Sequence, residues 1–434
     1  MTLFRCVKQP VIFGALALLV FSNSILAISW AVDSYMKYFA YFLIVCCACV
    51  SFLSAKNTAK NVLRTLIVFF VVSILFSFGL LLQQLTLGTM LRLIITMLTI
   101  SCIAILGQDL LSDLSAIRTA SYGILAGTLL TLILSLFSGI VLLEPVYDGI
   151  IPVGFNGGIE YKNFFGSILL AGFMGIYLYN RFCRENLTDK IVMWLLIIAL
   201  LLSSARSSYI FIVAFLVLVN IDRIGKYLHK FKPFQKLTDL WLRCYHSHKI
   251  PLLIGVGLIS AALILVTAVL LSKISSTYAM RYRGVTEYLA YVHNDPFHLL
   301  FGNAETVWAN SDLDYVASLR GILGWNTSFE VAFINVLIKN GLVGLIGFVF
   351  LFTYLAKSIR SGSLQNKLML WSVMGILLLS TFVESFAANI HTLFGVYCYM
   401  LIAGIGGMDR NKMLPANAAT PVQHLKKWLR NRKE

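Results

Sequence analysis

Apolar runs long enough to cross a bilayer as helices, about 20 residues each, recur along most of this chain. They begin at Val11, Met36, Thr65, Met90, Ser121, Asn163, Ile191, Ser207, Pro251, Glu330, Leu368 and Ile390. The pattern predicts an all-α integral membrane protein of about twelve transmembrane helices. The runs at Ile191 and Ser207 are separated only by Ser203-Ser204-Ala205-Arg206-Ser207-Ser208, so they form two short helices or one hairpin with a tight polar tip. One long polar segment, 273–330, separates the ninth run from the tenth. The organisation read from this is nine helices over 1–272, with a basic loop at 222–249. A long outer loop over 273–330, three helices over 331–407 and a basic tail over 408–434 follow. Arg5 and Lys8 precede the first run as in a signal peptide. Ile28-Ser29-Trp30 is a poor cleavage site and more spans follow, so the first helix is expected to remain.

Composition agrees with a membrane chain. The sequence is 59% hydrophobic and 12% charged, with a mean hydropathy of +0.83, whereas soluble domains are nearer a quarter charged. The formal net charge of +16 fits cytoplasmic loops held against anionic lipid better than it fits nucleic acid. With the N-terminus inside, about three quarters of the Lys and Arg fall in segments assigned to the cytoplasm, as expected where Lys/Arg bias sets topology. Both termini are then cytoplasmic. The 222–249 segment interleaves aromatics with positive charge and reads as an amphipathic surface helix or lipid-facing anchor. None of the eight cysteines lies in a segment assigned outside, so no disulfide framework is expected. Cys46, Cys47 and Cys49 sit in an apolar run and read as core. Cys244, His229, His246 and His248 fall short of a structural metal spacing.

No P-loop, GxGxxG, GxSxG or HExxH motif occurs, so nucleotide or zincin chemistry has no support. No convincing internal repeat of the transporter kind is visible either. Chemistry then rests on ionisable residues at the outer boundary. Arg206, collared by serines between two apolar runs, is expensive at membrane depth and marks a functional site, ahead of the alternative that it snorkels to headgroups. Arg281, Arg283 and Arg320 lie in the long loop. Guanidinium forks suit phosphate, and each alone reads equally as a solvated loop charge. Glu330 stands where the loop re-enters the membrane. It is either a carboxylate favoured by the helix dipole or a general base. His293, beside Asn294 and Asp295, ranks below it as a base. Lys162 and Asn163 open a helix after the irregular Asn156-Gly157-Gly158 stretch. A further outer polar piece is Glu384-Ser385-Phe386-Ala387-Ala388-Asn389. Tyr282, Tyr288, Tyr291, Phe297 and Trp308 either stack on sugar rings or pack under the loop.

The late long loop resembles that of the O-antigen ligase and O-antigen polymerase superfamily of bacterial membrane glycosyltransferases. So do four short motifs: Lys162-Asn163, Ser204-Ala205-Arg206-Ser207-Ser208, Leu299-Leu300-Phe301-Gly302 and Gly341-Leu342-Val343-Gly344. The resemblance implies a GT-C-like fold in the bacterial cytoplasmic membrane. It implies a donor glycan on undecaprenyl diphosphate, a second glycan as acceptor, and no metal, nucleotide sugar or other cofactor. A chain-length regulator is a further partner that it admits. The family's diphosphate-binding arginines map onto Arg206, and then onto Arg281 or Arg283. Ten residues before the Gly-Leu-Val-Gly turn the ligase branch carries His, and here Glu330 stands in its place. That favours a repeat-unit polymerase over a ligase that transfers glycan to lipid A core.

The expected reaction is attack of an acceptor hydroxyl, deprotonated by Glu330, on the anomeric carbon of the lipid-diphosphate donor. Arg206 with Arg281 or Arg283 would hold the departing diphosphate. A flippase or other transporter is the rival from another class, and predicts charges buried mid-helix and repeat symmetry. An envelope scaffold is the third possibility.

Overall fold

A computed structural model describes residues 2–53, 110–111, 113–145, 153–228, 288–290, 292–302, 331–357, 364–384, 386 and 392–408. The protein is mostly helical. In chain order the described elements are α1 (Thr2–Phe21), α2 (Ile25–Ser29), α3 (Asp33–Leu53), α4 (Leu114–Phe137), β1 (Leu143–Pro145) and β2 (Val153–Phe155). They continue with α5 (Lys162–Phe182), α6 (Leu187–Ser203), α7 (Arg206–Val219), α8 (Ile221–Leu228), α9 (Pro296–Phe301), α10 (Ala332–Lys357), α11 (Leu364–Val383) and α12 (Leu393–Gly407). The apolar runs begun at Val11, Met36, Ser121, Asn163, Ile191, Ser207, Glu330, Leu368 and Ile390 all fall on described helices. Those at Thr65, Met90 and Pro251 lie outside the described residues.

Among the described residues, three helical stretches are long and apolar enough to cross a membrane: Asp33–Val50, Leu114–Phe137 and Gln365–Val383. Lys8–Phe21, Arg206–Val219, Asn340–Tyr354 and Leu393–Gly406 are apolar but shorter. At 1.5 Å per residue the 14 residues of α7 span about 21 Å, short of a hydrocarbon core of roughly 30 Å.

Two short strands interrupt the helical pattern. β1 and β2 pair antiparallel with Leu143 opposite Phe155 and Pro145 opposite Val153. The chain then turns through Gly157 and Gly158, whose φ angles of +60° and +82° lie in the left-handed region that glycine tolerates. This turn is stitched to the start of the chain. Ile25 N–H donates to Gly158 O, Glu160 N–H donates to Asn23 O, and Ser24 bridges Ile159.

The helices share one large core, and α1 packs against α4 and α3 at its edge. Gly123 and Gly127, four residues apart on α4, let the backbones of α1 and α4 touch. A Cβ on either would sit 2.6 Å from a carbonyl oxygen of α1, that of Phe13 or of Ala17. This is the small-residue spacing by which helices approach closely in membranes. α5 packs between α4, α6, α7 and α12, while α11 joins α7, α10 and α12.

α10 departs from the expectation of one continuous span. At Gly341 the backbone takes φ +63° and ψ −160° and leaves the helix. The half before the break, 332–340, is shared: Ala332 and Val336 reach the main core, while Ile334, Leu337 and Ile338 join Tyr288, Val292 and Val331 in a separate small core. The half after it returns to the main core through Phe348, Leu351 and Phe352. The sequence shows one long run here, polar up to the break only at Asn335 and at Lys339-Asn340, because both halves bury apolar faces.

Candidate functional site

The bundle has two polar ends, one marked by Arg206 and one by Arg118. At the Arg118 end the polar groups are saturated. Asp189 is buried, and its carboxylate accepts from Arg118 Nε at 2.9 Å and Nη2 at 2.8 Å. It also accepts from the Tyr122 hydroxyl at 2.6 Å and Asn180 Nδ2 at 3.0 Å. The Arg118 guanidinium lies 5.2 Å and 5.0 Å from the ring centroids of Tyr122 and Tyr179. Nearby, Arg181 donates to both carboxylate oxygens of Asp222 at 3.0 Å and to Asn220 Oδ1 at 3.2 Å. Arg118 and Arg181 count as loop charges in the sequence. In the fold they fasten α4 to α6 and α5 to α8. Such a satisfied ion pair is built for structure, with its lone pairs already occupied.

The Arg206 end differs. Arg206 is the first residue of α7 and is half-buried. It follows a left-handed residue, Ser204 with φ +54°, which ends α6. The tip is therefore two helices joined by a tight turn. The next two side chains, Ser207 and Ser208, are buried at 3% and 0% exposure, and neither hydroxyl has a hydrogen-bond partner among the described residues. Buried hydroxyls without partners are uncommon and ask for a reason. A cation at a helix N-terminus opposes the helix dipole, so helix stability does not account for Arg206.

The start of α5 stands beside this turn. A Cβ on Gly166 would lie 2.5 Å from Ala205 Cβ and 2.8 Å from Ser208 Oγ. Lys162 and Asn163 open α5 one turn away, as the sequence predicts. Lys162 is tied to the hairpin: its ammonium donates to Pro145 O at 3.0 Å and lies 3.7 Å from the Glu144 carboxylate. Its backbone N–H donates to Glu144 at 2.8 Å. Asn163 is half-buried in the first turn.

Aromatic rings link α5 and α7 to the ends of α11 and α12. Phe164 lies 6.3 Å from Phe386, Phe386 lies 5.6 Å from Phe394, and Phe211 stacks on Phe394 at 6.4 Å. α11 runs antiparallel to α7, and a Cβ on Gly375 would meet Leu218. Counting from that contact, Arg206 is about 18 Å up α7 and Glu384 about 14 Å up α11, so both stand at one end. Glu384 is buried at 6% exposure, and its carbonyl accepts the Ala332 N–H at 3.2 Å. That bond moors the first half of α10 to the same end. Farther along α10, at the break, Asn340 is buried and its Oδ1 has no partner among the described residues.

The long loop contributes through α9. A Cβ on Gly341 would lie 2.2 Å from Leu300 O and 2.5 Å from Phe301 N. The loop backbone therefore rests directly on the glycine of the broken helix, and two of the short motifs meet. Gly302, at φ +80°, ends α9 by donating to His298 O at 2.8 Å.

His293 is exposed in the turn before α9. Tyr288 is fully buried in the small core, while Phe297 is exposed on α9. Glu330, Arg281, Arg283, Arg320, Tyr282, Tyr291 and Trp308 lie outside the described residues, as do Cys244, His229, His246 and His248.

Sequence reasoning placed Glu384 in an outer polar piece but passed over Asp189 and the pairing of Asp295 with His298. The last carried a local signal. Asp before Pro, with His three residues after the Asp, is a helix start whose cap and third residue can bond. Among the described residues no group of three His, Cys, Asp or Glu side chains is placed to hold a metal. No protein-family model matches the chain, and no curated protein matches it in sequence.

Proposed function

We propose that the protein is a membrane glycosyltransferase that polymerises oligosaccharide repeats carried on a lipid diphosphate. In this reading the chain has about twelve spans in a GT-C-like arrangement, both termini are cytoplasmic, and the Arg206 end faces outward. The observation that carries the reading is the packing of the Leu300-Phe301 backbone on Gly341. It joins the long loop to the helix that Glu330 precedes, and the first residue of that helix, Ala332, is bonded to Glu384 at the bundle end that holds Arg206 and two buried hydroxyls without partners among the described residues.

The donor docks from the outer leaflet with its diphosphate on the Arg206 guanidinium, a planar fork matched to phosphate oxygens. Arg281, Arg283 or Arg320 of the long loop supplies the second cation. The site's charge is placed where negative charge develops on the departing diphosphate, the arrangement that lowers a barrier most. The acceptor hydroxyl gives its proton to a base of the long loop, for which Glu330 and His293 are the sequence candidates. No nucleotide is needed, because the glycosyl-phosphate bond of the donor supplies the driving force.

Arg206→Ala is the test. The variant should remain in the membrane at the wild-type level and lose long-chain glycan. A normal chain-length ladder would overturn the clamp. In a deletion strain, single repeats on the acceptor core mark a polymerase, whereas long chains left on the lipid carrier mark a ligase.

A further inference from the structure

Two ionisable residues of the docked loop segment form a pair that the reading above leaves without a role. Asp295 precedes α9, with Pro296 in the first helical position. One carboxylate oxygen caps the helix by accepting the His298 N–H at 3.1 Å. The other is hydrogen-bonded to His298 Nδ1. A cap requires only the first of these bonds. The second fixes the imidazole. A carboxylate only accepts, so Nδ1 carries a proton, and in the neutral ring Nε2 is the nitrogen with the lone pair. The hydrogen bond from His298 holds the Asp295 carboxyl below its ordinary range, so the orienting group stays charged. His298 is about one-third exposed, which suits a base that must meet an incoming hydroxyl.

The platform under the pair is firm. α9 rests on Gly341 through Leu300 and Phe301, Leu299 packs on the small core, and Ala332 is bonded to Glu384. In sequence, Lys339 is the one ionisable residue of 331–340, the half-helix on which that core is built. His293, exposed in the preceding turn, has no carboxylate of this kind among the described residues.

We propose that His298, oriented by Asp295, is the general base that deprotonates the acceptor hydroxyl. The proposal rests on the glycosyl-transfer reading. In the step, His298 Nε2 takes the hydroxyl proton as the acceptor oxygen bonds to the anomeric carbon. The bond from that carbon to the phosphate oxygen breaks, and the lipid diphosphate leaves with the electron pair. The proton then passes from the imidazolium to solvent. Asp295 is a positioning residue, and Glu330 is not the base.

The experiment measures repeat transfer against pH with the full-length enzyme in lipid nanodiscs, using lipid-diphosphate-linked repeats as donor and acceptor. His298→Gln should lower kcat by about 10²–10⁴-fold, leave KM for the donor unchanged and remove the acid limb of the profile. Asp295→Ser keeps a helix cap but removes the oxygen on Nδ1. It should lower kcat and displace the acid limb with α9 still folded, an effect that capping alone does not produce. Glu330→Gln should keep the acid limb that His298→Gln loses. Wild-type activity in His298→Gln, an unchanged profile in Asp295→Ser, or loss of the acid limb in Glu330→Gln would overturn the assignment. A wild-type enzyme that transfers no sugar overturns the underlying reading instead.

Discussion

The Arg118 end and the Arg206 end are both built from an arginine, hydroxyls and a buried carboxylate, yet they are wired in opposite ways. Asp189 has a donor for each lone-pair direction that matters: a guanidinium, a phenol and an amide. At the other end Ser207 and Ser208 bury oxygens that have no partner among the described residues. A saturated cluster has nothing left to offer a ligand and holds helices together. A cluster with unmet oxygens keeps the cost of burial unreturned until something binds. The same residue types therefore read as fastening in one place and as a site in the other.

The comparison breaks first, and most visibly, at Asp189. Asp189→Ala leaves Arg118, Tyr122 and Asn180 without their acceptor and should destabilise the protein by about 3 kcal/mol, read as a fall in the unfolding midpoint in detergent. A change within experimental error would mean that the saturated end is not a fastening. Gly341→Ala comes next. Its methyl meets the Leu300 and Phe301 backbone at 2.2–2.5 Å and its φ is positive, a strain of about 1–2 kcal/mol before the clash is added. The loop segment should lift from α10, seen as faster amide exchange at residues 297–301, and transfer should fail. Protection equal to wild type would sink the docking argument.

Ser208→Ala sharpens the contrast. Deleting a partnerless buried hydroxyl should leave stability unchanged or raise it by about 1 kcal/mol, while the transfer rate falls. Equal activity would make that hydroxyl ordinary packing against Gly166. The smallest effect is a pH dependence at α9. Asp295 is held below the usual carboxylate range by its bond from His298. Its support for α9 is therefore complete above the ordinary carboxylate pKa and is lost as pH falls through the lowered value. Amide exchange at Leu299 and Leu300 should accelerate only on the acid side, and Asp295→Ser should lose that dependence.

Local signals in the sequence carried well into three dimensions. Helix α5 opens at Lys162, Arg206 begins a helix after a tight turn, and Gly157-Gly158 takes the left-handed backbone that its composition suggests. Each is decided within a few residues. The pairing of Arg118 with Asp189 spans 71 positions and of Arg181 with Asp222 spans 41, so neither sequence neighbourhood announces it. The break in α10 escaped for a related reason. Its glycine follows Lys339-Asn340 inside an otherwise apolar run, and what distinguishes the halves is that the first also builds the small core with Tyr288 and Val292. Of the expected site, Arg206, Lys162, Asn163 and His293 are placed by the fold, while Glu330 and the loop arginines lie outside the described residues.

The close seam between α1 and α4 has a consequence for how the protein is made. The two helices touch backbone to backbone at Gly123 and Gly127, but roughly 110 residues of chain separate Phe13 from Gly123. At about 5–20 residues per second, α1 must wait on the order of 5–20 s for its partner to leave the ribosome. During that interval α1 has α3 to pack on, but the face that α4 will cover stays bare. A bulkier residue at Gly123 or Gly127 would then act on assembly yield, through the time that face stays open to proteolysis, while molecules that complete the seam would work normally.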